Sequence, residues 1–176
     1  VYIVLGSSLA ACMSSNGSIA LSSADYMLVG EAANDNAGLS VSSAGDVDGD
    51  GLDDVLIGAH QDDDGGTDAG AVYVVLGASL ASTTTIDLSN ADYKLVGEAG
   101  KDSAGRHVAF AGDVDGDGLD DMLVGAYGNS ESGVYAGAAY VVLGASLAAT
   151  STIYLSSADY KLLGEAANDY VGLGVS

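Results

Sequence analysis

Five aspartates crowd into nine residues at Asp46-Val47-Asp48-Gly49-Asp50-Gly51-Leu52-Asp53-Asp54, and the same pattern recurs at Asp113-Val114-Asp115-Gly116-Asp117-Gly118-Leu119-Asp120-Asp121. Alternate spacing at Asp46, Asp48 and Asp50 lets a tightly curled loop aim three carboxylates at one centre, and Gly49 and Gly51 supply the backbone freedom for the curl. Left unneutralised, each carboxylate pair at contact range costs about 1 kcal/mol in water and about 4 kcal/mol at an effective dielectric of 20. A hard divalent cation removes that cost. Oxygen-only ligands select calcium or magnesium over zinc or copper, and calcium is preferred because magnesium keeps several waters. The expected ligands of a first Ca2+ are Asp46, Asp48, Asp50, the Leu52 carbonyl and Asp54. Those of a second are Asp113, Asp115, Asp117, the Leu119 carbonyl and Asp121. Asp53 and Asp120 are expected to face solvent. A metal-free Asp-Gly turn is the competing reading, and five aspartates at one spacing in both copies argue against it.

The loop is not an EF-hand. Position twelve would need a glutamate, and it is Ile57 in one copy and Val124 in the other. The flanks "GLSVSSAG" and "DVLIGA", then "RHVAFAG" and "DMLVGA", are short, apolar and rich in β-branched residues. Each loop is therefore expected to join two strands of a hairpin.

Repeats set the larger frame. "ADYMLVGEAANDNAGLSV" begins at Ala24, "ADYKLVGEAGKDSAGRHV" at Ala91 and "ADYKLLGEAANDYVGLGV" at Ala158, in steps of 67 residues. "VYVVLGASL" at Val72 and "AYVVLGASL" at Ala139 keep the same step, and the opening "VYIVLGSSL" is a third copy. Each repeat holds four strand-like runs, A to D, which in the middle repeat lie near 38–45, 54–59, 71–77 and 92–97. The nearly all-apolar run Val72–Leu76 suits a strand buried on both faces. Short strands in fours with Gly-rich turns predict an all-β fold of β-propeller blades, with a β-solenoid as second choice. The expected organisation is the end of one blade (1–30, strands C and D), complete blades at 31–97 and 98–164, and the start of a further blade at 165–176. That phase makes eleven strands and an unclosed ring, as expected of an internal piece of something longer.

Composition excludes several classes. The formal net charge is -21, with four Lys+Arg against 25 Asp+Glu. Phosphate binding needs Lys and Arg, so nucleic acid is not an expected partner, nor is an anionic membrane. No apolar run of about 20 residues offers a membrane span. Proline is absent, where average usage would give roughly nine, and 26 glycines suit sheets packed close together. Cys12 is the single cysteine, so no internal disulfide forms. Calcium sites of modest affinity work where calcium is millimolar, so a secreted or cell-surface location is expected.

The loops and their flanks, residues 37–60 ("AGLSVSSAGDVDGDGLDDVLIGAH") and 104–127 ("AGRHVAFAGDVDGDGLDDMLVGAY"), resemble the FG-GAP repeats of the integrin α-subunit β-propeller and its bacterial relatives. The family's Phe-Gly becomes Ala37-Gly38, Ala104-Gly105 and Val171-Gly172, and the Pro after Gly-Ala becomes His60 and Tyr127. The resemblance implies a seven-bladed ring with calcium loops between strands A and B on the lower face. It also implies partner binding on the opposite face, built by the D–A and B–C loops, with a protein or glycan ligand or neighbouring repeats of the same protein as partner. Asp62, Asp63, Asp64 and Asp68 form either a further cation site or a solvated acidic loop.

No catalytic residue is assigned. His60 and His107 occupy non-equivalent repeat positions without paired ligands. "GASLA" at Gly77 and Gly144 misses the nucleophile elbow by its last residue and recurs as a turn does. Asn16-Gly17-Ser18 fits a glycosylation sequon or an ordinary turn. The expected function is that of a calcium-binding extracellular propeller segment of bacterial type, serving adhesion or recognition. A repeat-built filament or surface-layer subunit, and an accessory propeller of a secreted enzyme, are the alternatives.

Overall fold

The computed structural model describes residues 1–12 and 18–176. The Cys12 side chain, and Asn16 and Gly17 of the sequon, lie outside the described residues. Among the described residues twelve strands follow in order: β1 (Tyr2–Ile3), β2 (Tyr26–Val29), β3 (Ser40–Gly45), β4 (Asp54–Ala59), β5 (Ala71–Val75), β6 (Thr85–Asp87), β7 (Tyr93–Val96), β8 (His107–Gly112), β9 (Asp121–Ala126), β10 (Ala138–Val142), β11 (Thr152–Tyr154) and β12 (Tyr160–Leu163). Short helices α1 (Gly6–Cys12), α2 (Gly77–Leu80) and α3 (Gly144–Leu147) follow β1, β5 and β10. The "GASLA" turn is thus a single helical turn at the end of strand C.

The strands form three sheets, ordered β1-β2-β6, β11-β7-β5-β4-β3 and β12-β10-β9-β8. Strands A to D of the middle repeat are β3, β4, β5 and β7, and those of the next are β8, β9, β10 and β12. All neighbours within each set are antiparallel. The protein is all-β, a partial β-propeller whose ring is not closed.

Two strands depart from the expected four per repeat. β6 leaves its own repeat and pairs in parallel with β2 of the preceding blade, Leu28 opposite Ile86. β11 does the same to β7, Leu95 opposite Ile153. Each run is three residues long, too short to show a period, and its partner lies in another repeat. The crossing strand covers an edge that would otherwise be open and stitches consecutive blades together. The expected strand A of a further blade does not form, and Val171 makes an isolated parallel bridge with Gly137.

Strand alternation builds the core. Leu56, Val72 and Val74 point into a cluster shared with Val108, Met122, Val124 and Tyr140 of the following blade. Their neighbours Ile57, Tyr73 and Val75 point the other way, into a cluster with Leu28 and Ile86. β5 is buried along its whole length, as its apolar run predicted. Close stacking also explains Gly58 and Gly125, since a Cβ on either would run into the carbonyl oxygen of Gly105 or Gly172 on the next blade. β3 packs beside β8, which sets the two aspartate loops next to each other.

Candidate metal centre

Each aspartate loop spans an A–B hairpin, as the flanking strands predicted. β3 and β4 close on the pair Gly45–Asp54 after an irregularity between Ser43 and Gly45, and β8 and β9 close on Gly112–Asp121 in the same way. The curl runs through left-handed glycines, Gly49 at φ 79° and Gly51 at φ 88°, repeated by Gly116 at 80° and Gly118 at 94°.

In the first loop, carboxylate oxygens of Asp46, Asp48 and Asp50 lie within 4.8 Å of one another. Backbone donors aim them. Asp46 accepts the N–H groups of Gly49 (2.8 Å) and Gly51 (2.9 Å), Asp48 that of Asp50 (3.1 Å), and Asp50 that of Leu52 (2.8 Å). The Leu52 carbonyl sits on the same turn. In the second loop the close group is Asp113, Asp115 and Asp121. Asp113 accepts from Gly116 (2.7 Å), Asp117 (3.1 Å) and Gly118 (3.0 Å), and Asp117 accepts from Leu119 (2.8 Å). Oxygen-only donors converging at this spacing fit a hard divalent cation of calcium's size.

Asp54 and Asp121 differ from the rest of their sets, each being 1% exposed. Asp54 takes the Val47 N–H at 2.9 Å and the Gly77 N–H at 2.8 Å, so it ties the loop to the first turn of α2. Asp121 repeats this with Val114 (2.8 Å) and Gly144 (3.0 Å). Burial pushes the Asp54 carboxyl up; the two N–H groups pull it down, and the charges of Asp48 and Asp50 push it up again. Asp54 lies outside the close group of the first loop, whereas one carboxylate oxygen of Asp121 lies inside that of the second.

Asp53 is exposed, as expected. Asp120 is not free in solvent: its carboxylate accepts the Asp46 N–H at 2.9 Å, and its own N–H donates to the Asp46 carbonyl at 3.0 Å. Sequence reasoning missed this because Asp53 and Asp120 are equivalent in the repeat, and only Asp120 faces a preceding aspartate loop in this chain. It also missed Asp25, Asp92 and Asp159 of the recurring "ADY". Each caps the helix after strand C, taking a backbone N–H (Leu5, Leu76, Leu143, each at 2.8 Å) and a serine hydroxyl (Ser8, Ser79, Ser146). Their recurrence was the available signal.

At the opposite end of the blades, Glu31, Asp62 and Asp64 converge as well. There Lys94 already supplies the cation, its Nζ lying 2.7 Å from Glu31, 2.9 Å from Asp62 and 2.6 Å from Asp64. Burial pushes the Lys94 ammonium down, but the hydrogen bonds it donates to Asp64, Glu31 and Asp62 outweigh that and hold the group charged. Asp62 is buried and Asp63 and Asp64 are exposed, so the acidic stretch is neither wholly solvated nor open to metal. Lys161 repeats the arrangement one blade on, with Glu98 at 2.6 Å and with Glu131.

Fold and site together define a β-propeller segment whose A–B hairpins carry carboxylate loops. Comparison with protein families matches the FG-GAP repeat at residues 37–75 and again at 104–142. The chain carries two FG-GAP repeats, as its resemblance implied. Comparison with curated proteins gives no match.

Proposed function

We propose that this chain is a calcium-stabilised propeller segment of a secreted or cell-surface protein of bacterial type, used in adhesion or recognition, with no catalytic step of its own. The observation that carries the reading is the convergence of aspartate oxygens in both A–B loops, on a framework of backbone N–H donors that holds them together. Asp46, Asp48, Asp50, the Leu52 carbonyl and Asp54 would hold one calcium, and Asp113, Asp115, Asp117, the Leu119 carbonyl and Asp121 the other. Calcium would supply the positive charge that these loops lack and tie strand A to strand B. The FG-GAP match supports the extracellular setting, and no described helix is long and apolar enough to cross a membrane.

Recognition is assigned to the face of the D–A and B–C loops. A groove of about 410 Å³ opens there between Lys101 and Asp102 of one loop and Asn129, Val134 and Tyr135 of the other. Tyr135 is exposed and stacks on Tyr170 with ring centres 5.9 Å apart, where the preceding blade has Asp68 and Ser103. Equivalent loops that differ in charge and size on a constant framework suit a protein or glycan ligand.

The test is a thermal melt with about 2 mM calcium and then with chelator, read alongside mass in solution. For a site Kd of about 20 μM each loop adds roughly 2.7 kcal/mol. A large shift that Asp48→Ala reduces supports the reading; no shift in the unaltered chain rejects it. Stacking of repeats into a filament is the second reading, favoured by the crossing strands β6 and β11, which stitch each repeat to the one before it. Calcium-dependent growth into large species would select it.

A further inference from the structure

The two aspartate loops touch. Besides the reciprocal hydrogen bonds between Asp46 and Asp120, Val47 is fully buried in the core shared by the two blades. A Cβ on Gly49 would lie 3.0 Å from Leu119 Cδ2, and one on Gly144 would lie 2.6 Å from the Asp120 carbonyl oxygen and 2.8 Å from that of Val47. Asp46 is thus at once a carboxylate donor of the first loop and the backbone partner of Asp120. Asp120 in turn sits between Leu119 and Asp121, two proposed donors of the second loop.

We infer that Asp120 is a positioning residue that couples the two cation sites, so that filling one loop raises the affinity of the other. The inference rests on the calcium reading above. A cation in the first loop fixes the Asp46 backbone. That fixes its hydrogen-bonded partner Asp120, and with it the chain on either side that supplies donors to the second loop. Ordering done by the first cation need not be repeated by the second, which is positive coupling without a large structural change. Repulsion between the two cations works against this. Salt damps repulsion at about 0.15 M, where the Debye length is about 8 Å, but does not remove a direct hydrogen-bonded contact. The expected coupling is about fivefold or more, the lower end of the usual range. By reciprocity the same factor acts in both directions.

Calorimetric calcium titration of the 176-residue chain in about 0.15 M salt tests this. Asp48→Ala leaves the second loop to titrate alone, and Asp115→Ala leaves the first. The product of the two binding constants of the unaltered chain, divided by the product of the two single-loop constants, is the coupling factor. The expected result is a factor of about five or more. It should fall toward one in Asp120→Ala, which keeps only the backbone bond from the Asp120 N–H to the Asp46 carbonyl, and less far in Asp120→Asn, which keeps an acceptor oxygen. Asp53→Ala, the equivalent position in the first loop, should leave it unchanged. Amide hydrogen exchange gives a second readout: calcium should slow the Asp120 N–H in Asp115→Ala, where only the first loop binds. A factor near one in the unaltered chain, or one that survives Asp120→Ala, overturns the inference while leaving calcium binding intact. Absence of any calcium heat or exchange change rejects the calcium reading itself.

Discussion

Lys94 on β7 places its ammonium 2.7 Å from the carboxylate of Glu31, the second residue beyond β2 of the preceding blade. The same carboxylate accepts the Tyr73 hydroxyl at 2.6 Å, and Lys94 lies 5.2 Å from the centre of the Tyr73 ring. One lysine therefore closes a contact between blades, neutralises the buried Asp62 and caps an aromatic side chain. In a chain with four Lys+Arg, two of them, Lys94 and Lys161, are used in this one way.

Replacing Lys94 should therefore cost more than a surface ion pair. Lys94→Met leaves Asp62 buried without its counter-charge, and removing one member of a buried pair costs about 3–5 kcal/mol. The same change frees Glu31, Asp62 and Asp64 to hold a cation. Denaturant unfolding should show the loss in chelator, and millimolar calcium should restore part of it as a third bound ion. Equal losses with and without calcium would show that the vacated cluster takes no metal.

Acid should weaken the same contact. Lys94, with the Tyr73 hydroxyl, holds the Glu31 carboxyl below its usual 4.5. A depressed carboxylate contributes stability that is full above its unfolded value and is lost as pH falls through the lower folded value. Burial pushes Asp35 and Asp102 up, and these act in the opposite sense, so the informative quantity is a difference between variants. Melting temperatures taken in chelator from pH 6 downward should fall less steeply below about 4.5 for Glu31→Gln than for the unaltered chain. Parallel curves would exclude Glu31 as a source of the acid limb.

Asp54 and Asp50 should separate structure from metal. Asp54→Ala strands the Val47 and Gly77 N–H groups, at about 1–3 kcal/mol for each group left buried without a partner. It should destabilise the fold even in chelator. Asp50 is exposed and holds only the Leu52 N–H, so Asp50→Ala should lower stability chiefly when calcium is present. Paired melts of the two variants with calcium and with chelator check the distinction.

Gly58→Ala should test blade stacking directly. The added methyl meets the Gly105 backbone rather than a flexible side chain, so the blades must separate. Overpacking of this kind costs about 1–3 kcal/mol, read as a lower denaturant midpoint that calcium does not restore. An unchanged midpoint would show that the blades can shift without loss.

The aspartate loops, their hairpins and the buried run of β5 were legible because their signals are local. Asp46, Asp48 and Asp50 stand two apart, Gly49 and Gly51 supply the left-handed turns, and Val72–Val75 alternates between two cores. The 67-residue step carried the blade architecture for the same reason: each repeat states its own strands. Tertiary structure alone decided the rest. β6 and β11 are short strands whose partners belong to the preceding blade. Lys94 finds Glu31 across 63 positions, and Asp120 reaches Asp46 across 74. Asp53 and Asp120 are identical in sequence context yet differ in surroundings, because contact depends on which blade stands alongside, and repetition makes equivalent residues look alike in sequence.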